Sequence, residues 1–221
     1  MQPARLLLAA FAFLGALLAP GRAGPELLLY PFARAFGGPS EAELVKCRAA
    51  FARLRTELPT SDLVVHPVLV RSGGSSQDDP EAWRTDLAHD LSTALRSEGV
   101  GAGFEVRASV ASVGRTPFGR NQLRYLWSRA AEYGRCLRAS HPPGEYFLFV
   151  EVFGRGDAVG AIQVFVYDSA GQLAYCRLFN SHHFGNRLPR AGDGALRLVA
   201  RRLREDLRLA PEEMFPPYGV G

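Results

Sequence analysis

The fold is decided by residues 145–180, which read EYFLFVEVFGRGDAVGAIQVFVYDSAGQLAYCRLFN. Three runs rich in aromatic and β-branched residues are typical of strands. A glycine-rich turn at 154–160 separates the first two runs, and the tight-turn sequence DSAG at 168–171 separates the last two. The sequence therefore predicts an antiparallel meander with strands at 145–153, 161–167 and 172–180.

Alternate positions of the meander differ in character, because successive side chains of a strand point to opposite faces. One face is aliphatic. The other is expected to be aromatic, with Glu151, Gln163 and Arg177 as its polar residues and with the following rings: Phe147, Phe149, Phe153, Phe165, Tyr167, Tyr175 and Phe179. A sheet with one solvated face would alternate apolar and polar residues, so both faces are predicted to be buried.

Two kinds of cover are open for the aromatic face. The first is intramolecular, with residues 24–39 and a helix at 40–58 folded over the rings. The second is a protein partner or a second copy of the chain. In that case the candidate contact residues are Phe149, Phe165, Tyr167 and Tyr175.

The remaining elements are predicted from caps and apolar spacing. Ser40 and Glu43 form a capping box at the start of the first helix. Pro67 cannot donate a ladder hydrogen bond, so the strand at 63–70 is expected at a sheet edge or with a bulge. Asp79 and Pro80 are expected to begin the second helix. A short strand at 103–110 and helices at 121–140 and 193–209 complete the set.

These elements predict one α/β (α+β) domain over residues 40–209. Its sheet would hold the three-strand meander and one or two further strands, packed with about four helices. Residues 24–39 are expected to be an irregular lead-in, and residues 210–221 a tail.

The N-terminus has the three parts of a secretory signal peptide over residues 1–23. Arg5 precedes an apolar run at 6–19, and small residues follow up to Ala23. The apolar run is shorter than the roughly 20 residues of a spanning helix, which favours cleavage after Ala23 over a retained anchor. The predicted location is therefore periplasmic or secreted.

Charge and cysteine content exclude some functions. A net charge of +4 on 221 residues is too small to favour nucleic-acid binding, which depends on neutralising phosphates. The three cysteines, Cys47, Cys136 and Cys176, have neither CxxC nor zinc-site spacing. Cys47 and Cys176 are interpreted as small buried hydrophobic residues, and no cofactor is predicted.

An alternative function is a hydrolase or metal-dependent enzyme that uses the loop at 180–186, NSHHFGN. His182 and His183 are weak metal candidates, with a third ligand from His66, His89 or His141. The chain contains no HExxH or GxSxG motif, so no metal site is favoured and no catalytic residue is assigned.

The last helix carries a row of arginines within an arc of about 60° at 3.6 residues per turn. The row consists of Arg197, Arg201, Arg204 and Arg208. It is either a solvated face with local ion pairs or a surface that docks an acidic partner or anionic lipid. Contact with a membrane would be peripheral only.

The element order and the long glycine-bearing hairpin with its Asp168–Gly171 turn resemble a small α/β module of bacterial envelope proteins. The module occurs in the curli-export lipoprotein and in the N-terminal domain of the Tol–Pal propeller protein, and the resemblance covers about 62–209. Unlike the lipoprotein members, this chain has no lipid-acceptor cysteine. The resemblance implies an assembly or scaffolding role without catalysis, through contact with other proteins.

Overall fold

The computed structural model describes residues 38–72, 81–110, 122–137, 145–155, 158–180, 188 and 192–216. The predicted signal peptide and most of the lead-in lie outside these ranges. The described helices are α1 (Glu41–Glu57), α2 (Thr85–Ser97), α3 (Gln122–Leu137), α4 (Gly192–Asp206) and α5 (Pro211–Met214), with a 3₁₀ turn at Leu58–Thr60. The strands are β1 (Asp62–Val65), β2 (Val68–Ser72), β3 (Glu81–Arg84), β4 (Gly103–Val106), β5 (Glu145–Arg155), β6 (Ala158–Asp168) and β7 (Leu173–Asn180).

All seven strands form one mixed sheet in a single domain, which confirms the predicted fold class. β5, β6 and β7 form the predicted antiparallel meander. β1 and β2 both pair with the other side of β5, parallel to it. β4 runs parallel to β1, and β3 runs antiparallel to β2. The meander thus has four additional strands, where one or two were expected.

A bulge at Pro67 accounts for one of the additional strands. Val65 pairs with Leu148, whereas Leu69 pairs with Glu151, so β1 and β2 together contain one residue more than the facing part of β5. An extra residue on one strand is a β-bulge, and it interrupts the ladder where proline has no N–H to offer. Of the two predicted outcomes for Pro67, the bulge is therefore confirmed.

The helices lie on both faces of the sheet. α3 lies on the aromatic face, where the ring of Tyr133 stacks 4.2 Å from that of Phe149. α4 lies on the aliphatic face, where Tyr175 donates a 2.8 Å hydrogen bond to Asp206. α2 packs beside α4, and α1 packs against β7. α3 therefore covers the rings around Phe149. Of the predicted cover by residues 24–58, α1 packs along β7, where Cys47 and Tyr167 line the same cavity, and residues 24–37 lie outside the described ranges.

The predicted face of Tyr175 and Phe179 is also wrong. The register between β6 and β7 shifts at Val166/Tyr167, so that Tyr175 pairs with Val166 and Phe179 pairs with Ile162 on the aliphatic face. Cys176 correspondingly pairs with Phe165 on the aromatic face. One bulged residue moves every later side chain of β7 to the opposite face.

Two boundaries differ from the prediction. Glu81–Arg84 is a strand paired with β2, so α2 begins at Thr85 rather than at Pro80. Trp83 therefore belongs to a strand and is partly exposed. The expected tail contains α5, and Phe215 after it is buried edge-on against Phe51, with the ring centroids 6.2 Å apart. The contact between Phe215 and Phe51 holds this C-terminal segment against α1.

Two local structures that the sequence predicts, a helix cap and a tight turn, are confirmed. The Ser40 hydroxyl accepts from the Glu43 N–H, and the Glu43 carboxylate accepts from the Ser40 N–H, which is the predicted capping box. In the turn after β6, Asp168 accepts from the Gly171 N–H, and Gly171 has a φ of +70°, which favours glycine. Gly134 of α3 lies over this turn, where a Cβ would lie 2.8 Å from the Gly171 carbonyl oxygen.

Candidate functional site

The four aromatic residues proposed for partner contact are buried in the core. Phe149, Phe165, Tyr167 and Tyr175 are each at most 2% exposed. Tyr167 also donates a 2.7 Å hydrogen bond to the carbonyl oxygen of Ala130 in α3. The interpretation of these rings as a partner surface is corrected accordingly, because the chain's own helices occupy both faces of the sheet.

The candidate metal ligands do not come together in the described ranges. His66 is buried on the aromatic face, where its ring stacks on that of Phe149 at 4.1 Å. His89 is exposed on α2, which lies on the other face with α4. Within the described part of the chain, no group of three or more His, Cys, Asp or Glu side chains could hold a metal. His141, His182 and His183 lie outside it.

The side chains of Glu151, Tyr125, Arg129 and Tyr133 form a buried polar network, which we call the Glu151 cluster. The Glu151 carboxylate accepts three hydrogen bonds, from Tyr133 at 2.5 Å, from Arg129 at 2.6 Å and from Tyr125 at 2.9 Å. Arg129 also donates to the Tyr133 hydroxyl at 3.1 Å. Glu151 is fully buried, so α3 is joined to β5 by a charge-assisted network that solvent does not reach.

Burial governs the titration of this cluster. Burial first, and then the adjacent Glu151 carboxylate, raise the pKa of Tyr133 well above its usual value, and the pKa of Tyr125 is raised for the same reasons. Burial disfavours the cation of Arg129, but the attractions of Glu151 and of the two tyrosine hydroxyls together outweigh this effect and raise the pKa of Arg129. The tyrosines therefore remain neutral donors and the arginine remains charged at neutral pH.

The neighbours of the Glu151 cluster are also polar. The Arg71 guanidinium lies over the ring of Tyr125, 5.4 Å from its centroid. Gln163, opposite Glu151 in the ladder, is 1% exposed, and its Oε1 accepts no hydrogen bond from the described residues. Since Glu151 is saturated by three donors and closed to solvent, the cluster positions α3 and offers no free acid or base to a substrate.

Glu151 and Gln163 stand out in the sequence as polar positions among rings, but the residue pattern of the strands alone indicates no helical partner for them. The missing signal was the spacing of Tyr125, Arg129 and Tyr133 at four-residue intervals, which places three donors on one face of α3. A buried carboxylate requires such donors, so the two patterns together could have identified α3 as the cover.

The arginine row is exposed, with Arg197, Arg201 and Arg204 on α4 and Arg208 in the turn that follows it. We keep the name arginine row of α4 for these four residues. The side chains of Arg201 and Arg204 are 58% and 51% exposed. Arg204 pairs with Glu98 at 3.1 Å, and Arg201 lies 3.9 Å from Glu205. Arg197 and Arg208 form no ion pair with any described residue. The row is thus partly neutralised by local pairs and partly open to a partner.

A groove of about 560 Å³ separates α2 from α4 beside this row. The α2 side contributes Asp90 and Glu98, and the α4 side contributes Arg197. Ala94 and Leu196, which are almost fully buried, form its apolar floor. The groove therefore has an acidic rim, a basic rim and an apolar floor.

The cysteines give a direct test of the packing of α1. Cys47 and Cys176 are 3% and 4% exposed, and burial raises the pKa of Cys47 to about 12 and that of Cys176 above its usual value. Cys136 is only partly buried, and its pKa is raised mainly by that partial burial.

In the native protein we expect an alkylating reagent at pH 8 to modify Cys136 first, because reaction requires an accessible thiolate. Cys47 and Cys176 should react only after denaturant is added. Mass spectrometry of timed samples measures the order. Equal labelling of all three thiols in the native state would show that α1 is not packed on β7 as described.

The fold and its exposed features define an α/β domain whose buried polar cluster is structural and whose charged groove is open. No protein-family model matches the chain, and no curated protein matches it. Among the described helices, none combines the length and apolarity needed to cross a membrane.

Proposed function

We propose that this protein is an exported envelope or secreted protein that acts by contact with other proteins, in an assembly or scaffolding role without catalysis. The contact surface is the arginine row of α4. The observation that carries the proposal is that Arg197 and Arg208 are exposed without an ion pair among the described residues, whereas the Glu151 cluster is saturated and closed.

Two physical arguments support this surface. Four cations within one arc of a helix create a local positive potential that attracts and orients an acidic partner. The rings of the sheet are inaccessible, so an apolar partner has no comparable surface on the described faces. Export is supported by the three-part pattern of residues 1–23.

Export is tested by N-terminal sequencing of the protein recovered from outside the cytoplasm. We expect the mature chain to begin at Gly24, because Ala23 and Gly21 provide the small residues of a cleavage site. A recovered chain that begins at Met1 or Gln2 would contradict cleavage and identify residues 1–23 as a retained segment.

Contact is tested by placing a photo-crosslinking amino acid at position 201 in the producing cells. The matched control position is 131, because Ala131 is exposed on α3, which lies on the opposite face of the sheet from α4. We expect one discrete protein adduct from position 201 and none of that size from position 131. Absence of any adduct from position 201 would contradict the proposed contact surface.

A further inference from the structure

We propose that the groove between α2 and α4 binds a single helix of a partner protein. That helix carries carboxylates on the flank facing α4 and ammonium or guanidinium groups on the flank facing α2. The inference rests on the proposed function and deepens it, since it assigns the secondary structure and the charge pattern of the partner.

The spacing of the arginine row favours a helical partner. Arg197, Arg201 and Arg204 follow one another at intervals of four and three residues, which places about one cation on each turn along about 10 Å of α4. Arg208 lies in the turn that follows the end of α4. A helix lying alongside α4 can present one carboxylate per turn at the same 5.4 Å repeat. An extended peptide, with a repeat of about 6.8 Å for side chains on one face, cannot keep this register.

The opposite rim determines which partner helices are accepted. Asp90 is exposed, forms no ion pair among the described residues and lines the groove opposite Arg197. A helix with carboxylates on both flanks would be repelled by Asp90, whereas the charge of Glu98 is already compensated by Arg204 at 3.1 Å. Unlike charges on the two rims therefore select a helix with unlike flanks and fix its direction.

The floor supplies the apolar part of the site. Ala94 and Leu196 lie between the two rims, so alanine or leucine on the lower face of the bound helix would contact apolar atoms there. An anionic membrane surface fits this groove less well. Its headgroups have no fixed repeat, and the acidic rim of α2 would face phosphates of the same sign.

The experiment uses two synthetic helical peptides of identical composition and the purified full mature chain. The first peptide has Glu along one flank, Lys along the other and Leu and Ala between them. The second has Glu and Lys alternating on both flanks. Calorimetric titration at low ionic strength should show about tenfold tighter binding of the first peptide, and the difference should shrink as salt is added.

Charge reversal locates the binding. Arg197→Glu with Arg208→Glu should remove the preference between the peptides. Arg135→Glu, on the exposed side of α3 across the sheet, should leave it unchanged. The proposal is overturned if both peptides bind equally, if neither binds, or if the double reversal has no effect. It is also overturned if vesicles containing phosphatidylglycerol bind and the peptides do not.

The peptide titration and the crosslinking experiment can fail independently of each other. A protein adduct from position 201 together with equal binding of the two peptides would retain the contact surface and reject the helical partner. Absence of the adduct would reject the contact surface itself.

Discussion

Replacing Glu151 with leucine is expected to destabilise the protein by about 3–5 kcal/mol. The substitution removes the 2.6 Å ion pair of the buried Arg129 guanidinium, leaves it the more distant carboxylate of Glu132 at 3.9 Å, and removes the acceptor for two tyrosine hydroxyls. A loss of this size is a large fraction of the roughly 5–15 kcal/mol that stabilises a typical domain. Urea unfolding followed by circular dichroism measures it.

The matched control is Gln163→Leu, at the facing position of the ladder. Its Oε1 is buried and accepts no hydrogen bond from the described residues, so leucine should be neutral or stabilising. The two substitutions, Glu151→Leu and Gln163→Leu, are thus expected to change the free energy of unfolding in opposite directions or by amounts that differ by several kcal/mol. If both cost less than about 1 kcal/mol, the buried ion pair does not hold α3 on the sheet.

The second large effect is expected from Phe149→Ala, which should cost about 3–5 kcal/mol. Its ring lies between His66 and Tyr133, with centroids 4.1 Å and 4.2 Å away, and meets Tyr167 edge-on at 5.9 Å. Truncation removes these contacts and leaves a cavity under α3. Differential scanning calorimetry or urea unfolding measures the loss.

Val45→Ala is the control for Phe149, because Val45 is 54% exposed on α1. A surface change of this kind should remain within about 0.5 kcal/mol of the parent protein. A Phe149→Ala variant as stable as the Val45→Ala variant would mean that the ring is not packed beneath α3. The earlier interpretation of the ring as a partner contact would then regain support.

Local signals in the sequence were sufficient for the elements whose structure depends on neighbours in the chain. The Ser40 and Glu43 capping box, the turn at Asp168–Gly171 and the apolar stripe of α1 needed no tertiary information. The stripe residues Leu44, Cys47 and Phe51 recur at helical spacing in the sequence, and all three are buried. Each of these features is set by interactions within a few residues.

Features that depend on pairing between distant strands were not predictable from the chain alone. The bulge before Tyr175 reversed its face, and no local residue pattern marks that position. Likewise, Glu81–Arg84 forms a strand because its backbone pairs with that of β2, although Asp79 and Pro80 are typical of the start of a helix. The aromatic rings were correctly expected to be covered, but the position of α3 over Phe149 depends on its hydrogen bonds to Glu151.

The candidate contact site was predictable in part. Helical spacing alone placed Arg197, Arg201, Arg204 and Arg208 on one face, and the described structure leaves that face exposed. The acidic rim across the groove was not foreseen, because Asp90 and Glu98 belong to α2, and only the tertiary packing of α2 beside α4 brings them near Arg197. Charge patterns within one helix can be read from sequence, whereas patterns between helices require the fold.

The most direct test of the central claim is the yield of the adduct from position 201 when the charge of the row is reversed. With Arg197→Glu and Arg208→Glu in the same chain, the adduct is expected to disappear, because the partner would face anions in place of cations. With Arg135→Glu in its place, the yield should match that of the parent chain. Equal yields in all three proteins would contradict the assignment of the arginine row as the contact surface.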